Sequence, residues 1–217
     1  MNISREAVID AILEHKIIVI LRGLSQDVLI PTVEAMEKGG IRLVEVTFDQ
    51  SGKISDEQTA ANIALLSKTF AGRVHIGAGT VMSREQVKLA ADAGAEYIIS
   101  PDACEEVIRY TRELGLVSLP GVFTPTEAAN AHRWGADFVK LFPNSELKIS
   151  YLKALTVPLS HIKFLAVGGV DPSNLTEYLA AGAKGVGVAT AIADKKAIFA
   201  GDYEEVTRRA KAFTELL

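Results

Sequence analysis

Short apolar runs recur along the chain, each followed by a longer segment in which apolar positions return every three or four residues. The runs are Ile17–Leu21, Leu43–Thr47, His75–Gly77, Tyr97–Ile99, Val117–Leu119, Phe138–Lys140, Lys163–Ala166 and Gly185–Val188. Apolar residues fill mostly consecutive positions in them, the pattern of parallel strands covered on both faces. The longer segments read as helices. Ser83–Ala93 sets Val87, Leu89 and Ala90 on one side and leaves Arg84, Glu85 and Lys88 for water. Thr124-Pro125-Thr126-Glu127 carries a cap residue and a first-turn proline, and predicts a helix running to Trp134. Asp171-Pro172-Ser173 opens another in the same way.

The helix ends repeat as well. Gly39-Gly40, Gly94, Gly115, Gly135 and Gly182 each stand where a helix stops in a left-handed conformation, and an apolar run follows each. A strand–helix unit therefore occurs eight times. Such a chain can close into a barrel or lie open as a doubly wound sheet. The count, the even strand lengths and the lack of a Gly-x-Gly-x-x-Gly turn after the first strand favour an α/β TIM (β/α)8 barrel. No linker interrupts the pattern, so residues 1–217 read as one barrel domain. An extra N-terminal helix, over about residues 3–14, is placed to cover the barrel's lower face.

Composition narrows the function. The net charge is −4 with no basic run, which speaks against a nucleic-acid surface. The single cysteine, Cys104, excludes an intrachain disulfide and suits a reducing compartment. No uncharged apolar window approaches about 18 residues, so no membrane span is expected. Arg5, Glu6, Asp10 and Glu14 break the stretch Met1 to Lys16, where a secretory signal would be uncharged. The expected location is the cytoplasm.

Barrel active sites lie at the carboxyl ends of the strands. Lys140 stands there within Asp137-Phe138-Val139-Lys140-Leu141-Phe142-Pro143, an apolar setting for an ammonium. Burial lowers a lysine pKa, and a neutral amine attacks carbonyls. A lysine that snorkels or pairs with a buried carboxylate is the structural alternative; the position at the mouth favours chemistry. Glu45 lies inside the strand Leu43–Thr47. Pointing inward, it serves as a general acid/base beside Lys140; a purely structural ion pair is the other reading. Gly168-Gly169 and Val188-Ala189-Thr190 follow the last two strands, where barrels often bind phosphate on backbone N–H groups. His15, His75, His132 and His161 lack metal-ligand spacing, and no metal is expected. Cys104, placed on a helix, reads as a packed thiol, and Trp134 and Tyr110 as packing residues.

These residues fall within seven ordered motifs: Ile20-Leu21-Arg22-Gly23, Val44-Glu45-Val46-Thr47, Gly77-Ala78-Gly79-Thr80-Val81, Ile99-Ser100-Pro101, Pro120-Gly121-Val122-Phe123-Thr124-Pro125, Val139-Lys140-Leu141-Phe142-Pro143 and Val167-Gly168-Gly169-Val170. Together they resemble the 2-keto-3-deoxy-6-phosphogluconate (KDPG) / 2-keto-4-hydroxyglutarate (KHG) aldolases, over nearly the whole chain. The resemblance implies a class I aldolase that makes pyruvate and an aldehyde. It implies an imine on Lys140 and proton transfer by Glu45. Thr80 and Pro101 would line the pyruvate pocket, with Phe142 beside the imine and Arg22 near the substrate's anionic groups. Thr47 falls in the same motif as Glu45 and joins the candidate substrate contacts. Gly168, Gly169 and Thr190 would hold the phosphate. The substrate is a small 2-keto acid, no cofactor or metal is needed, and the assembly is a homotrimer.

Three departures qualify the likeness. The Leu-Arg-Thr that often follows the second strand in the family is Phe48-Asp49-Gln50 here. An acidic residue repels an anion, so Asp49 points away or alters specificity. Val167 replaces a threonine, a form associated with the phosphogalactonate branch, and Val188-Ala189-Thr190 replaces a glycine-richer turn. KDPG is the first substrate expected; its galactonate epimer and KHG share the mechanism. A sugar-phosphate isomerase or epimerase is the alternative of a different class, and a barrel that only binds ligand is a third.

Overall fold

The computed structural model describes residues 3–217; Met1 and Asn2, at the start of the expected domain, lie outside the described residues. Nine parallel strands form one sheet in the order β5-β4-β3-β2-β1-β9-β8-β7-β6. They are β1 (Ile17–Leu21), β2 (Leu43–Thr47), β3 (His75–Gly79), β4 (Tyr97–Ile99), β5 (Val117–Leu119), β6 (Gly121–Val122), β7 (Val139–Leu141), β8 (Phe164–Val167) and β9 (Gly185–Val188). The fifth expected strand, Val117–Leu119, is observed as β5, and the extra strand β6 follows it directly, separated from it by Pro120. Proline offers no ladder N–H, and the chain changes partner there. β5 pairs with β4 and β6 pairs with β7. One continuous passage thus carries both ends of the sheet, and the barrel is nearly closed. Phe138 N–H donates to the Ser118 carbonyl and Lys140 N–H to the Pro120 carbonyl, at 3.2 and 2.8 Å.

Both faces of the strands are buried, as their continuous apolarity requires. Ile18, Leu43, Tyr97, Ile99, Val117, Leu119, Phe138 and Leu165 meet inside the barrel. Val19, Val44, Ile76, Ile98, Val139, Ala166 and Val186 face the helices. The helices joining the strands are α2 (Gln26–Lys38), α3 (Asp56–Thr69), α4 (Arg84–Asp92), α5 (Glu105–Glu113), α6 (Pro125–Trp134), α7 (Ile149–Thr156) and α8 (Leu175–Ala180). Two more, α9 (Lys195–Phe199) and α10 (Tyr203–Thr214), follow β9.

Local signals account for most helix boundaries. Thr124 and Glu127 form a reciprocal capping box with Pro125 in the first turn of α6. Gly40, Gly94, Gly115, Gly135 and Gly182 all have positive φ at the expected stops. Asp171-Pro172-Ser173 does not open α8 directly. The Asp171 carboxylate accepts from Ser173 N–H at 2.8 Å within a turn, and the helix begins at Leu175. Cys104 stands just before α5 as its N-cap residue, not within the helix. Tyr110 and Trp134 pack against the core.

The first helix, α1 (Arg5–His15), closes the barrel floor. The Ser4 hydroxyl caps it by accepting from Ala7 N–H at 3.2 Å, and the chain leaves it through Lys16 at φ 58°. Val8 and Ile12 are fully buried among the interior side chains. Above them Tyr97 spans the barrel, its hydroxyl donating to the Val44 carbonyl at 2.6 Å. Gly77 makes room for that ring, because a Cβ there would lie 2.1–2.5 Å from it. Truncating Ile12 to Ala removes the centre of the floor. Its expected cost is about 2–5 kcal/mol of stability, read by chemical denaturation.

Candidate active site

A cavity of about 700 Å³ opens at the carboxyl ends of the strands. Arg22, Glu45, Thr80, Pro101, Lys140, Phe142, Gly168, Gly169 and Thr190 all line it. Of the candidate residues only Thr47 stays outside; its hydroxyl donates to the Leu21 carbonyl at 3.4 Å, tying β2 to β1.

Glu45 and Lys140 reach the cavity from β2 and β7 with 3% and 7% of their surfaces exposed. Glu45 keeps its place because Gly79 faces it on β3. A Cβ on Gly79 would stand 2.5 Å from Glu45 Oε1. Burial raises the Glu45 pKa to about 7, against the lowering effects of Lys140 and Arg22. Its Oε2 has no hydrogen-bond partner in the protein. Burial likewise pushes the Lys140 ammonium below the usual lysine range, opposed by Glu45. The two groups share the cavity and interact only through space, with no hydrogen bond between them, so Lys140 Nζ is not tied to the Glu45 carboxylate. Nζ lies 4.7 Å from the centroid of the Phe142 ring. The arrangement offers an amine of lowered basicity and a proton acceptor of raised pKa facing one space.

Two loops shape the wall above β2 and β3. Arg22 Nη2 donates to Thr80 Oγ1 at 3.0 Å. Thr80 has φ 56°, a region that costs a β-branched residue about 1–3 kcal/mol and that clusters at functional sites. Asp49 points away from the cavity. Its carboxylate accepts from the N–H groups of Ser51, Lys53 and Ile54 at 2.9–3.0 Å and from the Ser51 hydroxyl at 2.7 Å. Those bonds hold its pKa at about 2, so it stays ionised as the core of its own turn.

Gly168 and Gly169, at φ 105° and 72°, form the opposite rim. Neither tolerates a side chain: a Cβ on Gly169 would sit 3.0 Å from Ser145 Cβ, and both glycines hold left-handed backbone. Asn174 Nδ2 fixes the Gly169 carbonyl at 2.9 Å, turning it into the protein. Among the described residues, the N–H groups of Gly168, Gly169, Thr190 and Ala191 donate to no protein acceptor. Val188 faces the helices, so the side chains in this turn that meet the cavity are those of Ala189 and Thr190.

Val167, noted as a departure from the family pattern, lines the cavity, and so do Ile20, Gly187, Asp171 and Ala191, which sequence reasoning did not single out as site residues. The alternation of inward positions gives Ile20, Val167 and Gly187 once Lys140 and Glu45 are taken as inward. Asp171 and Ala191 lie on loops with no such register. The histidines lie elsewhere. His75 pairs with Glu96, and the exposed His132 and His161 rings stack edge to face at 4.9 Å.

A barrel with a buried amine and carboxylate beneath an amide-lined rim defines an α/β-barrel enzyme with its site at the strand ends. A family model described as KDPG and KHG aldolase matches residues 8–209. The chain belongs to this family and is a carbon–carbon lyase of the KDPG aldolase type. The 2-dehydro-3-deoxy-6-phosphogalactonate aldolase of Escherichia coli (strain K12) is 36% identical over 173 residues, 79% of this chain and 82% of its own. A native KDPGal structure superposes with a TM-score of 0.81 at 34% identity, over 92% of each chain. The KDPG aldolase of Legionella pneumophila, with pyruvate captured as a covalent carbinolamine, superposes with a TM-score of 0.85 at 27% identity. That match covers 94% of this chain and 97% of the other. The isomerase and ligand-binding alternatives fall with this membership.

The raised Glu45 pKa has a measurable consequence. Below the ordinary value of 4.5 the carboxyl is protonated both folded and unfolded. Between there and about 7 the folded state keeps a proton that the unfolded state releases, so stability falls as pH rises through that window. Glu45→Gln should abolish this fall. Its stability relative to the parent should rise with pH to at most about 3 kcal/mol, levelling above pH 7 in denaturant titrations.

Proposed function

We propose that the chain cleaves a 2-keto-3-deoxy-6-phospho sugar acid to pyruvate and glyceraldehyde 3-phosphate through an imine on Lys140, with Glu45 as general acid/base. The observation that carries the reading is the shared cavity of a lysine and a glutamate, both driven toward neutrality by burial.

Neutral Lys140 Nζ adds to the C2 carbonyl, and the carbinolamine loses water to give a protonated imine. Glu45, ionised, takes the C4 hydroxyl proton. The C3–C4 bond breaks, its electron pair enters the C2–C3 enamine, and the aldehyde departs. The proton now on Glu45 moves to C3, and water hydrolyses the pyruvate imine to release Lys140. The imine is the electron sink, so the proposed chemistry needs no metal or organic cofactor. The carbinolamine captured in the Legionella relative supports this route. The free amides of Gly168, Gly169, Thr190 and Ala191 suit a phosphate at the far end.

Two C4 epimers have comparable support. The first expectation was KDPG. The Escherichia coli relative and the KDPGal structure favour the galactonate epimer, as does Val167 in place of threonine. 2-Keto-4-hydroxyglutarate remains a third substrate of the same mechanism. A homotrimer belongs to the same proposal, read directly by light scattering as three times 23.3 kDa.

Borohydride with pyruvate should add mass at Lys140. An unmodified Lys140 in protein that releases pyruvate overturns the mechanism. Glu45→Gln should lower kcat by roughly 10²–10⁴. The rate should rise with pH through about 7, where Glu45 ionises, and that limb should vanish in the variant. Dialysis against EDTA should leave the rate unchanged. Comparing kcat/KM on the two epimers, with and without phosphate, assigns the substrate.

A further inference from the structure

Asp49 and Gln50 are neighbours in the loop after β2, yet their side chains do different work. Asp49 is absorbed by its own turn. Gln50 reaches across to the loop after β3, where its Nε2 donates to the Thr80 carbonyl at 3.0 Å. Among the described residues nothing else donates to that carbonyl. Gln50 Nε2 also lies 3.4 Å from Gln86 Oε1. Gln86 is buried on α4 and fixed at both ends. Its Oε1 accepts the Met82 N–H at 2.8 Å, and its Nε2 donates to both Asp56 oxygens at 3.1 and 3.2 Å. A brace thus runs from α3 and α4, through Gln50, to the one non-glycine cavity residue with a left-handed backbone. On the far side of that residue, the Thr80 hydroxyl accepts from Arg22. Among the described residues Arg22 is, apart from Lys140, the only cation lining the cavity.

We propose that Gln50 is a positioning residue that holds the Thr80 peptide so that the Thr80 hydroxyl, and with it the Arg22 guanidinium, faces an anionic 2-keto acid. This rests on the reading that the cavity takes such a substrate. The task needs an amide donor. A carboxylate at position 50 would set lone pairs against the Thr80 carbonyl, and an alkyl group would release it. Threonine would then relax to negative φ and carry its hydroxyl away from Arg22.

Gln50→Leu and Gln50→Glu separate this role from a general stabilising one. Both should raise KM about tenfold with kcat within about threefold of the parent. The pyruvate concentration that half-saturates borohydride trapping should rise by a similar factor. The thermal midpoint should change little. A second test joins Gln50→Leu to Thr80→Gly, which has neither hydroxyl nor strain to maintain. The added change should then have no further effect on KM. Unchanged half-saturation in Gln50→Leu, equal loss of kcat and KM performance that follows thermal stability, or multiplying effects in the double variant would each overturn the proposal. The trapping arm keeps the two readings apart. Absence of pyruvate release by the parent chain overturns the aldolase reading, whereas an unaltered trapping curve in Gln50→Leu overturns the role of Gln50.

Discussion

Removing a carboxylate and an ammonium from water costs several kcal/mol for each unless it is paired or gives up its charge. Glu45 and Lys140 are buried in one barrel with no hydrogen bond between them. Their pKa values move toward each other instead, the acid upward and the amine downward. The fold bears this cost through the many apolar contacts made by strands buried on both faces. Reactivity at the mouth is therefore supported by packing far from it.

The supports form layers. α1 seals the floor, Tyr97 fills the cross-section above it, and Gly77 and Gly79 remove the two Cβ atoms that would collide with the ring and with Glu45. Pro120 adjusts closure at the seam between β5 and β6 without removing the carbonyl that Lys140 N–H needs. Small residues here are as specific as large ones, because each leaves a space that a particular neighbour occupies.

Much of this was legible in the sequence because it follows from period and position. Consecutive apolar residues marked strands covered twice, and left-handed glycines marked helix ends. The carboxyl-end rule then gathered Glu45, Lys140, Thr80 and Gly168 at one mouth. What escaped depends on side-chain direction in irregular backbone. For Asp49 the sequence left two options, pointing away or altering specificity, and only the closed loop decides for the first. Thr47 looked like a cavity residue until its hydroxyl turned to Leu21. Gln50 carried no signal, since its importance lies in the φ angle of a residue thirty positions away. Pro120 was visible as a residue, but its effect on strand count needed the partner strands.

The helix beneath the barrel also bears on the order of events. With Val8 and Ile12 filling the floor, the cavity opens above the strand ends. In the proposed reaction the pyruvate half remains bonded to Lys140 while the aldehyde half occupies the rim. Traffic is then one-way and stacked, with the fragment nearest the opening leaving first. In the synthetic direction pyruvate must be seated before the aldehyde arrives, and an aldehyde bound alone would block the donor's path. A feature that first reads as a stopper for the hydrophobic core would, in the proposed reaction, set a compulsory order of binding and release.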